Sequence, residues 1–460
     1  MNRIGSRSPQ HARCATGIAA FLLAFAAAAC FTGGAVEAPA IVTVKLRGCT
    51  VTEGGAPHVA PGGYYTNGTS VCTAGGESHL FHGVDRPSLE WNAAGQNVTL
   101  TDFQAMAEWH ANVVRIALDQ DFWLTGAWLH NNVPIPPPGQ TQQWSVQDAQ
   151  SYQSTVAQAV HWAEAAGLDV ILDLHWSDQG NLQVMAVGKS QDTAGNANQQ
   201  QMADVNSKQF WIEVATKFKG DGHVLFELYN EPNDVSWTTW LNGGTDPGYQ
   251  VVGMQELYDA VRSTGADNLV IAGGLSYAFD LSGVASFPIR GYNIMYATHP
   301  YGPQDGMASW DASFGYLAAG DIAPVIVTEF GDMSAMCTGA FDMSLIQYAD
   351  MYKISWTAWA WYPGGCGFPS LITDFGYTPT PQGSTVRTAL LGYLWAPPDA
   401  GADGAATDAT LDDGPGDAPR DDAPSEASVE GASSDALPLE DAAGDASDGG
   451  DATDDGPGNG

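Results

Sequence analysis

Two glutamates follow short apolar runs and stand in surroundings suited to acid–base chemistry. Glu231 follows the run 224–229, and Glu329 follows the run 325–328. A carboxylate at the end of a buried strand is costly unless it is paired, and two such groups beside aromatic residues favour a functional use. Cleavage of a glycosidic bond needs a pair of this kind, because one carboxylic acid protonates the leaving oxygen while a second carboxylate attacks the anomeric carbon. The alternative is that both glutamates belong to structural ion pairs.

Glycosidic cleavage places opposite demands on its two carboxyl groups. One must stay protonated near neutral pH, and the other must stay ionised with the help of hydrogen-bond donors. Arg115 is the candidate to hold the ionised group, and Tyr301 could donate to it as well. Simple neutralisation of a buried carboxylate is the alternative role for Arg115.

Further site candidates stand at or near the ends of apolar runs. They are His175, Asn230, His299 and Trp359. Either histidine could instead be a hydrogen-bonded core residue. The histidines show no paired ligand spacing with cysteines or carboxylates, so we expect neither a metal site nor a cofactor.

Some neighbouring residues fit more than one role. Packing and sugar binding are equally compatible with Trp123, Trp128 and Trp176. Hydrogen-bonded scaffold positions suit Asp85, Glu90 and Asp173 better than catalysis does.

Eight short apolar runs alternate with helical patterns along the middle of the chain. The runs cover residues 80–84, 113–118, 168–174, 224–229, 269–272, 293–298, 325–328 and 356–361. They are apolar on both faces, as strands of a fully covered parallel sheet are. This pattern predicts an α/β fold, a (β/α)8 barrel in which polar residues at the strand ends converge on one mouth. A doubly wound sheet is the alternative, but it rarely needs eight repeats and the chain has no Gly-rich phosphate loop.

One helix shows the pattern with particular clarity. Ser145 and Asp148 are spaced as a capping box, and apolar residues then recur at helical spacing from Tyr152 to Ala163. Gly167 is expected to end this helix immediately before the third strand.

The two ends of the chain differ in composition from its middle. Residues 1–30 carry early arginines and then an apolar run at 15–29, which predicts a secretory signal peptide. Cys30 follows small residues, as the lipid-bearing cysteine of a bacterial lipoprotein does, although Ala27 stands where a larger aliphatic residue is usual. We therefore expect an extracellular protein, with attachment to the cell surface by a lipid at Cys30 as an option.

The segment 397–460 has the composition of a disordered tail. It contains 18 acidic residues against one arginine, nearly half of the chain's net charge of −36, and it has no aromatic residue. Such a segment cannot bury enough apolar surface to fold, and it offers no aromatic platform for sugars. The charge also argues against nucleic acid and anionic membranes as partners. Between the ends we expect a β-hairpin lead-in at 41–79 and the barrel at 80–396.

Four cysteines remain once Cys14 and Cys30 are set aside. Their spacing suggests the pairs Cys49–Cys72 and Cys337–Cys366, which suits an oxidising exterior. Three connectivities are possible for four cysteines, so the pairing stays open at this point.

The strings at the strand ends resemble glycoside hydrolase family 5, the cellulase-type barrels. The resemblance lies in VLFELYNEP, VIVTEFG, NVVRIAL, VILDLHW and ATHPYG, which occur in the family's order from about residue 80 to 361. It implies that Glu231 is the acid/base and Glu329 the nucleophile of a retaining mechanism. One departure stands at strand one, where Asp85 and Arg86 follow Gly-Val in place of the family's frequent asparagine.

The same resemblance implies roles for the supporting residues. Asn230 would bind the sugar 2-hydroxyl, Arg115 and Tyr301 would position Glu329, and the two histidines would line the same subsite. Trp359 in the string WTAWAW matches the family's platform tryptophan, with Trp361 as the alternative.

We therefore expect a monomeric endo-acting hydrolase of β-1,4-glucan, with a β-linked polysaccharide as its partner and no protein partner. Mannan, mixed-linkage glucan and decorated glucan are the alternative substrates. A non-catalytic glycan-binding barrel is the alternative from another class, and transglycosylation would use the same residues as hydrolysis.

Overall fold

The computed structural model describes residues 48–49, 58–129, 145–147, 149–177, 179–180, 200–302, 307–334 and 337–393. All of them belong to one compact unit. The leader 1–30 with Cys30 and the tail 397–460 lie outside the described residues. The signal peptide, the lipid attachment and the disordered tail therefore stay predictions.

The strands of the described residues are short, as parallel barrel strands are. They are β1 (Tyr64–Asn67), β2 (Ser70–Thr73), β3 (Ser78–His79), β4 (His82–Arg86), β5 (Val113–Asp119), β6 (Ala127–Leu129), β7 (Ser145–Gln147), β8 (Asp169–Trp176), β9 (Val224–Glu227), β10 (Val270–Gly273), β11 (Ile294–Thr298), β12 (Tyr301–Gly302), β13 (Val325–Val327), β14 (Gly331–Asp332) and β15 (Ser355–Ala358).

Eight of these strands close into a barrel. The order around it is β10, β11, β13, β15, β4, β5, β8 and β9, and each strand pairs in parallel with the next. The predicted (β/α)8 barrel is therefore confirmed, and all eight predicted apolar runs contribute a strand.

Helices follow the barrel strands. They are α1 (Leu100–Glu108), α2 (Gln120–Thr125), α3 (Ala149–Ala165), α4 (Ser207–Phe218), α5 (Trp237–Asn242), α6 (Met254–Ser263), α7 (Met307–Trp310), a π-helical turn (Asp311–Gly315), α8 (Tyr316–Ala319), α9 (Ala340–Tyr352) and α10 (Pro381–Gly392). Within the described part of the chain, no helix is both long enough and apolar enough to cross a bilayer.

Apolar side chains fill the barrel interior below the mouth. Val113, Ile171 and Leu225 belong to one buried cluster, while their neighbours along the strands pack outward against the helices. Because strand side chains alternate with a period of two, the next inward position on each strand lies one layer closer to the mouth. The barrel is thus a packed core that supports a polar upper layer.

All eight barrel strands differ from the predicted runs at one or both ends, and the differences in three of them concern residues near the site. The first strand begins at His82 instead of residue 80 and runs to Arg86. The second extends to Asp119, one residue beyond the predicted run, and Arg115 is its third residue. The eighth ends at Ala358, so Trp359 follows the strand. An apolar run marks where side chains are buried, and ladder hydrogen bonds continue through buried polar residues that the run does not include.

The predicted start of α3 was wrong, whereas its buried face was right. Ser145 lies in β7, which pairs antiparallel with β6, so its backbone belongs to a ladder and it does not cap the helix. The helix begins at Ala149, and its buried residues include Tyr152, Val156, Val160 and Ala163. Gly167 adopts a left-handed conformation (φ 82°) just after the helix ends, as predicted.

The lead-in forms a three-stranded antiparallel sheet, β1–β2–β3. The Tyr64 hydroxyl donates to Asp169 Oδ2 at 2.7 Å, and this bond joins the sheet to the beginning of β8. Cys49 pairs with Cys72, and Cys337 pairs with Cys366. Both suggested disulfides are therefore confirmed.

Candidate active site

Arg115 is the centre of charge in the layer nearest the mouth. Its guanidinium is fully buried, and its Nη1 donates to Glu329 Oε1 at 2.6 Å. Its Nε donates to Glu227 Oε2 at 2.5 Å, and Nη2 lies 2.9 Å from Asp173 Oδ2. Asn230 Oδ1 accepts from the same Nη2 at 2.7 Å. One guanidinium therefore aligns three carboxylates and an amide, although Arg115 lies in the middle of β5 and not at its end.

Glu329 has a donor on each carboxyl oxygen. Arg115 serves Oε1, and the Tyr301 hydroxyl donates to Oε2 at 2.7 Å. Burial and the Glu329 carboxylate raise the pKa of Tyr301 well above its usual value, so that hydroxyl keeps its proton. Both oxygens of Glu329 therefore accept a hydrogen bond and neither donates one, which is the arrangement of an ionised carboxylate.

Glu231 lies in a different environment from that of Glu329. Burial and the nearby Glu329 charge raise the pKa of Glu231 well above its ordinary value, with Arg115 opposing. His299 Nδ1 lies 3.1 Å from Glu231 Oε1. Burial and then Arg115 lower the pKa of His299 well below its usual value, so this ring is neutral. Two carboxyl groups of unlike environment thus face one space, which is the arrangement that acid–nucleophile chemistry requires.

The separation between the two carboxyl groups is short. One oxygen of Glu231, one of Glu329 and one ring nitrogen of His299 all lie within 4.8 Å of one another. By distance alone these three atoms could hold a cation. However, Glu329 already accepts from Arg115 and Tyr301, and the Arg115 guanidinium disfavours a second positive charge. We interpret the cluster as two neighbouring carboxyl groups, each held by hydrogen bonds to other side chains, and the expectation of no metal stays a prediction.

His175 is fixed by contacts on three sides. Its Nδ1 lies 2.7 Å from Asp173 Oδ2, and Asn230 Nδ2 is 3.5 Å from its Nε2. Burial lowers the pKa of His175 to about 3, so the ring is neutral and Nδ1 donates to Asp173. The Trp359 ring stacks on it at 5.6 Å with an interplanar angle of 9°. His175 therefore orients both the amide and the indole that face the cleft.

A cleft of about 390 Å³ opens above this layer. All the predicted site residues except Arg115, which lies beneath, line it: His175, Asn230, Glu231, His299, Tyr301, Glu329 and Trp359. Sequence reasoning missed two strongly exposed members of the lining, Tyr277 (52% exposed) and Met333 (51%). It also missed Glu227. This charged residue lies inside the string VLFELYNEP, and the alternation of side chains along β9 directs it inward.

The remaining tryptophans are placed differently from one another. Trp361 is fully buried and donates to Asp102, so Trp359 and not Trp361 faces the cleft. Trp123 is also buried and donates to Glu213, which is a packing role. Trp176 is partly exposed and lies 6.3 Å from the His175 ring, at the edge of the site. The side chain of Trp128 lies outside the described residues.

The residues expected to be scaffold are all buried. Asp85 accepts from the Thr357 hydroxyl at 3.2 Å and lies 3.7 Å from Arg115 Nη1. Glu90 accepts from the backbone of Ser88 at 2.7 Å. Asp173, by contrast, contacts both Arg115 and His175, so it supports the site directly.

The fold and the site together define a class, the (β/α)8 barrels that present a carboxyl pair of the glycosidase type at the strand ends. The chain belongs to the cellulase family, glycosyl hydrolase family 5, whose family model matches residues 67–365. This match agrees with the resemblance seen in the strand-end strings.

Several characterised proteins are similar to the chain. Endoglucanase MaCel5A of Microbulbifer sp. strain ALW1 is 24% identical over 315 residues, which cover 66% of this chain and 52% of that protein. Endoglucanase E-5 of Thermobifida fusca is 26% identical over 306 residues, covering 64% and 54%. The chain thus spans about half the length of the curated relatives it matches.

Solved structures show the same fold. The β-glucanase SdGluc5_26A of Saccharophagus degradans, solved in its native form and with cellotetraose, superposes with a TM-score of 0.53 at 20% identity. The match covers 74% of this chain and 95% of that one.

Proposed function

We propose that this chain is a secreted retaining glycoside hydrolase that cleaves internal β-1,4-glucosidic bonds in cellulose or a related β-glucan. The observation that carries the proposal is the carboxyl pair, since oxygens of Glu231 and Glu329 lie within 4.8 Å of each other. Retaining enzymes hold their two carboxyl groups about 5–5.5 Å apart, whereas inverting enzymes leave room for a water between them.

The unlike surroundings of the two groups support the following division of roles. In the first step a Glu329 oxygen bonds to the anomeric carbon, the glycosidic C–O bond breaks, and the Glu231 proton goes to the leaving oxygen. In the second step a water oxygen bonds to the anomeric carbon, Glu231 takes up the water proton, and the Glu329 ester bond breaks. The raised pKa of Glu231 supports its role as the acid at neutral pH.

The supporting residues hold the sugar and the nucleophile in this scheme. Arg115 and Tyr301 aim Glu329 at the anomeric carbon through one hydrogen bond to each oxygen. Asn230, anchored by Arg115, would bind the sugar 2-hydroxyl. Trp359 offers an indole face to a flat pyranose ring.

A β-glucan is the substrate that the comparisons favour. Two similar proteins are named endoglucanases, and a structural neighbour was solved with cellotetraose. Mannan is the main alternative substrate, because the choice between the two sugars depends on contacts around the 2-hydroxyl.

Secretion is supported by the cysteines of the barrel unit. Disulfides such as Cys49–Cys72 and Cys337–Cys366 persist in oxidising compartments outside the cytosol. The predicted leader and the optional lipid on Cys30 belong to the same proposal, and so does action as a monomer.

The test is hydrolysis of carboxymethylcellulose, mannan and xyloglucan by the full chain and by Glu329→Gln. We expect the highest turnover on carboxymethylcellulose, and a loss on the order of 10³-fold or more in Glu329→Gln, because the amide cannot act as the nucleophile. Glu256→Gln is the control, since Glu256 is an exposed glutamate on α6 paired with Lys208. Mannan turnover well above glucan turnover would reject the glucanase assignment. Hydrolysis that survives Glu329→Gln would reject the mechanism.

A further inference from the structure

A chain of buried hydrogen bonds leads away from Glu231. Its first member is His299, whose Nδ1 lies 3.1 Å from Glu231 Oε1 and whose Nε2 is 2.9 Å from the Thr328 hydroxyl. That hydroxyl donates to Glu227 Oε1 at 2.7 Å. The His299, Thr328 and Glu227 side chains are all shielded from solvent. The proposed reaction assigns no step to Thr328 or Glu227, so the reason for this polar chain must lie elsewhere.

Counting protons along the chain gives the state of His299. The Thr328 hydroxyl has a single proton, and it is donated to Glu227. The Thr328 oxygen can therefore only accept from His299, so the ring proton is on Nε2. Because the ring is neutral, Nδ1 carries no proton and must accept. The hydrogen bond between Nδ1 and Glu231 Oε1 then has Glu231 as its donor.

We propose that Thr328 and Glu227 are positioning residues that fix the tautomer of His299, so that His299 holds Glu231 in its protonated form. The inference rests on the proposed function, since it explains how the acid of that reaction keeps its proton. It also explains why a threonine hydroxyl and a carboxylate are buried one layer behind the reacting groups, where an apolar pair would cost less to desolvate.

Glu227 is able to serve as the terminal acceptor. Its second oxygen accepts from Arg115 Nε, so neither oxygen has a reason to donate. Burial raises the pKa of Glu227 to about 7, with Arg115 opposing, so the group is ionised above neutral pH.

Other charged groups also act on Glu231 and His299. Glu329, Asp173 and Glu227 raise the pKa of Glu231 and Arg115 lowers it, while Tyr301 faces the same space. His299 is also affected by Arg115 and His175, and it lies 3.7 Å from Glu329 Oε2. None of these groups bonds to His299 Nε2 among the described residues, so the Thr328 contact is the one that selects the tautomer.

Thr328→Val tests the proposal, because valine keeps the shape and removes the hydroxyl. His299 Nε2 then loses its acceptor, and the ring is free to place its proton on Nδ1 and donate to an ionised Glu231. The ionised form is favoured, so the pKa of Glu231 falls. We expect the alkaline limb of kcat/KM against pH to move down by about one unit. Thr328→Ser restores a hydroxyl and should return the limb towards its original position.

Thr298→Val is the matched control. Thr298 is buried beside His299, but its hydroxyl donates to the backbone oxygen of Phe279 at 3.0 Å and takes no part in the chain. This variant should leave the alkaline limb where it is. An unmoved limb in Thr328→Val, or an equal movement in Thr298→Val, would overturn the proposal.

A second measurement needs no turnover. In the full chain labelled with ¹⁵N-histidine, His299 Nδ1 should resonate as an unprotonated nitrogen, assigned by its loss in His299→Gln. In Thr328→Val it should shift towards the protonated position. A protonated Nδ1 in the unaltered chain would overturn the tautomer assignment. An unprotonated Nδ1 in a chain that hydrolyses no glycan would leave the tautomer standing and remove the proposed function instead.

Discussion

At the scale of single residues, the site depends on one buried cation. Arg115 compensates the negative charges of Glu227, Glu329 and Asp173 at distances of 2.5 to 2.9 Å. Its guanidinium has no exposure to solvent. Without this charge the three carboxylates would be buried together, which is far more costly than leaving any one of them unpaired at a surface. The stability of the fold and the arrangement of the candidate site therefore depend on the same residue.

Replacement of Arg115 by leucine should destabilise the protein by about 3–5 kcal/mol, because the carboxylates it pairs with stay buried. This loss of folding stability should be smaller at pH 5 than at pH 8. The pKa values of Asp173 and Glu227 are raised to about 7, so both groups take up protons as pH falls. Denaturant unfolding at the two pH values measures this. Arg387→Leu on the exposed face of α10 is the control, and equal stability of the two variants would contradict the account.

Residue-level prediction from the sequence succeeded for the side chains that follow apolar runs and for Arg115 inside one, but it missed Glu227. Glu231 and Glu329 stand at strand ends, and the structure brings them to one cleft. Glu227 was missed, although it stands two residues after the inward Leu225 and so points inward as well. Only the closed barrel reveals that its partner is Arg115, because 112 positions separate them.

At the scale of elements, the segment after β10 has an unusual backbone. Ser276, Tyr277 and Ala278 are consecutive and all adopt left-handed conformations, with φ of 55°, 58° and 59°. Each such residue costs on the order of 1–3 kcal/mol, so the surroundings must hold it in place. The Tyr277 amide donates to the carbonyl of Pro232, and the backbone amides of Leu275 and Asp280 donate to each other's carbonyls.

The same segment places Tyr277 on the Glu231 side of the cleft. Pro232 directly follows Glu231, and more than half of the Tyr277 side chain is exposed in the lining. In the proposed reaction Glu231 protonates the leaving oxygen, which places the departing sugar on the Glu231 side of the cleft. We infer that the ring stacks on that sugar.

Tyr277→Leu should therefore lower kcat/KM for cellotetraose about 10-fold, since one sugar contact on an aromatic ring contributes about 1–1.5 kcal/mol. Hydrolysis of β-cellobiosyl fluoride should stay unchanged, because fluoride leaves without a ring to stack. Tyr277→Phe keeps the ring and should behave like the unaltered chain. Equal losses on both substrates would show that the variant disturbs the site in general, and no loss on cellotetraose would remove the inferred contact.

At the scale of the whole molecule, the barrel was predictable because eight apolar runs of similar length leave few other ways to bury both faces of a sheet. The start of α3 could not be predicted in this way. Ser145 pairs with β6, and local sequence spacing gives no sign of that pairing. Local patterns predict buried faces well, whereas long-range pairing decides where elements begin. The exposed Tyr277 escaped prediction for the same reason, since its loop is held by contacts distant in sequence.

The most direct test of the central claim is the anomeric configuration of the first product. The separation and unlike environments of Glu231 and Glu329 support the proposed double displacement, in which the newly formed reducing end keeps the configuration of the bond that was cut. In ¹H NMR of cellotetraose hydrolysis, the β-anomer should appear first and the α-anomer only later, as the sugar mutarotates. Initial accumulation of the α-anomer would contradict the assignment of Glu329 as a nucleophile.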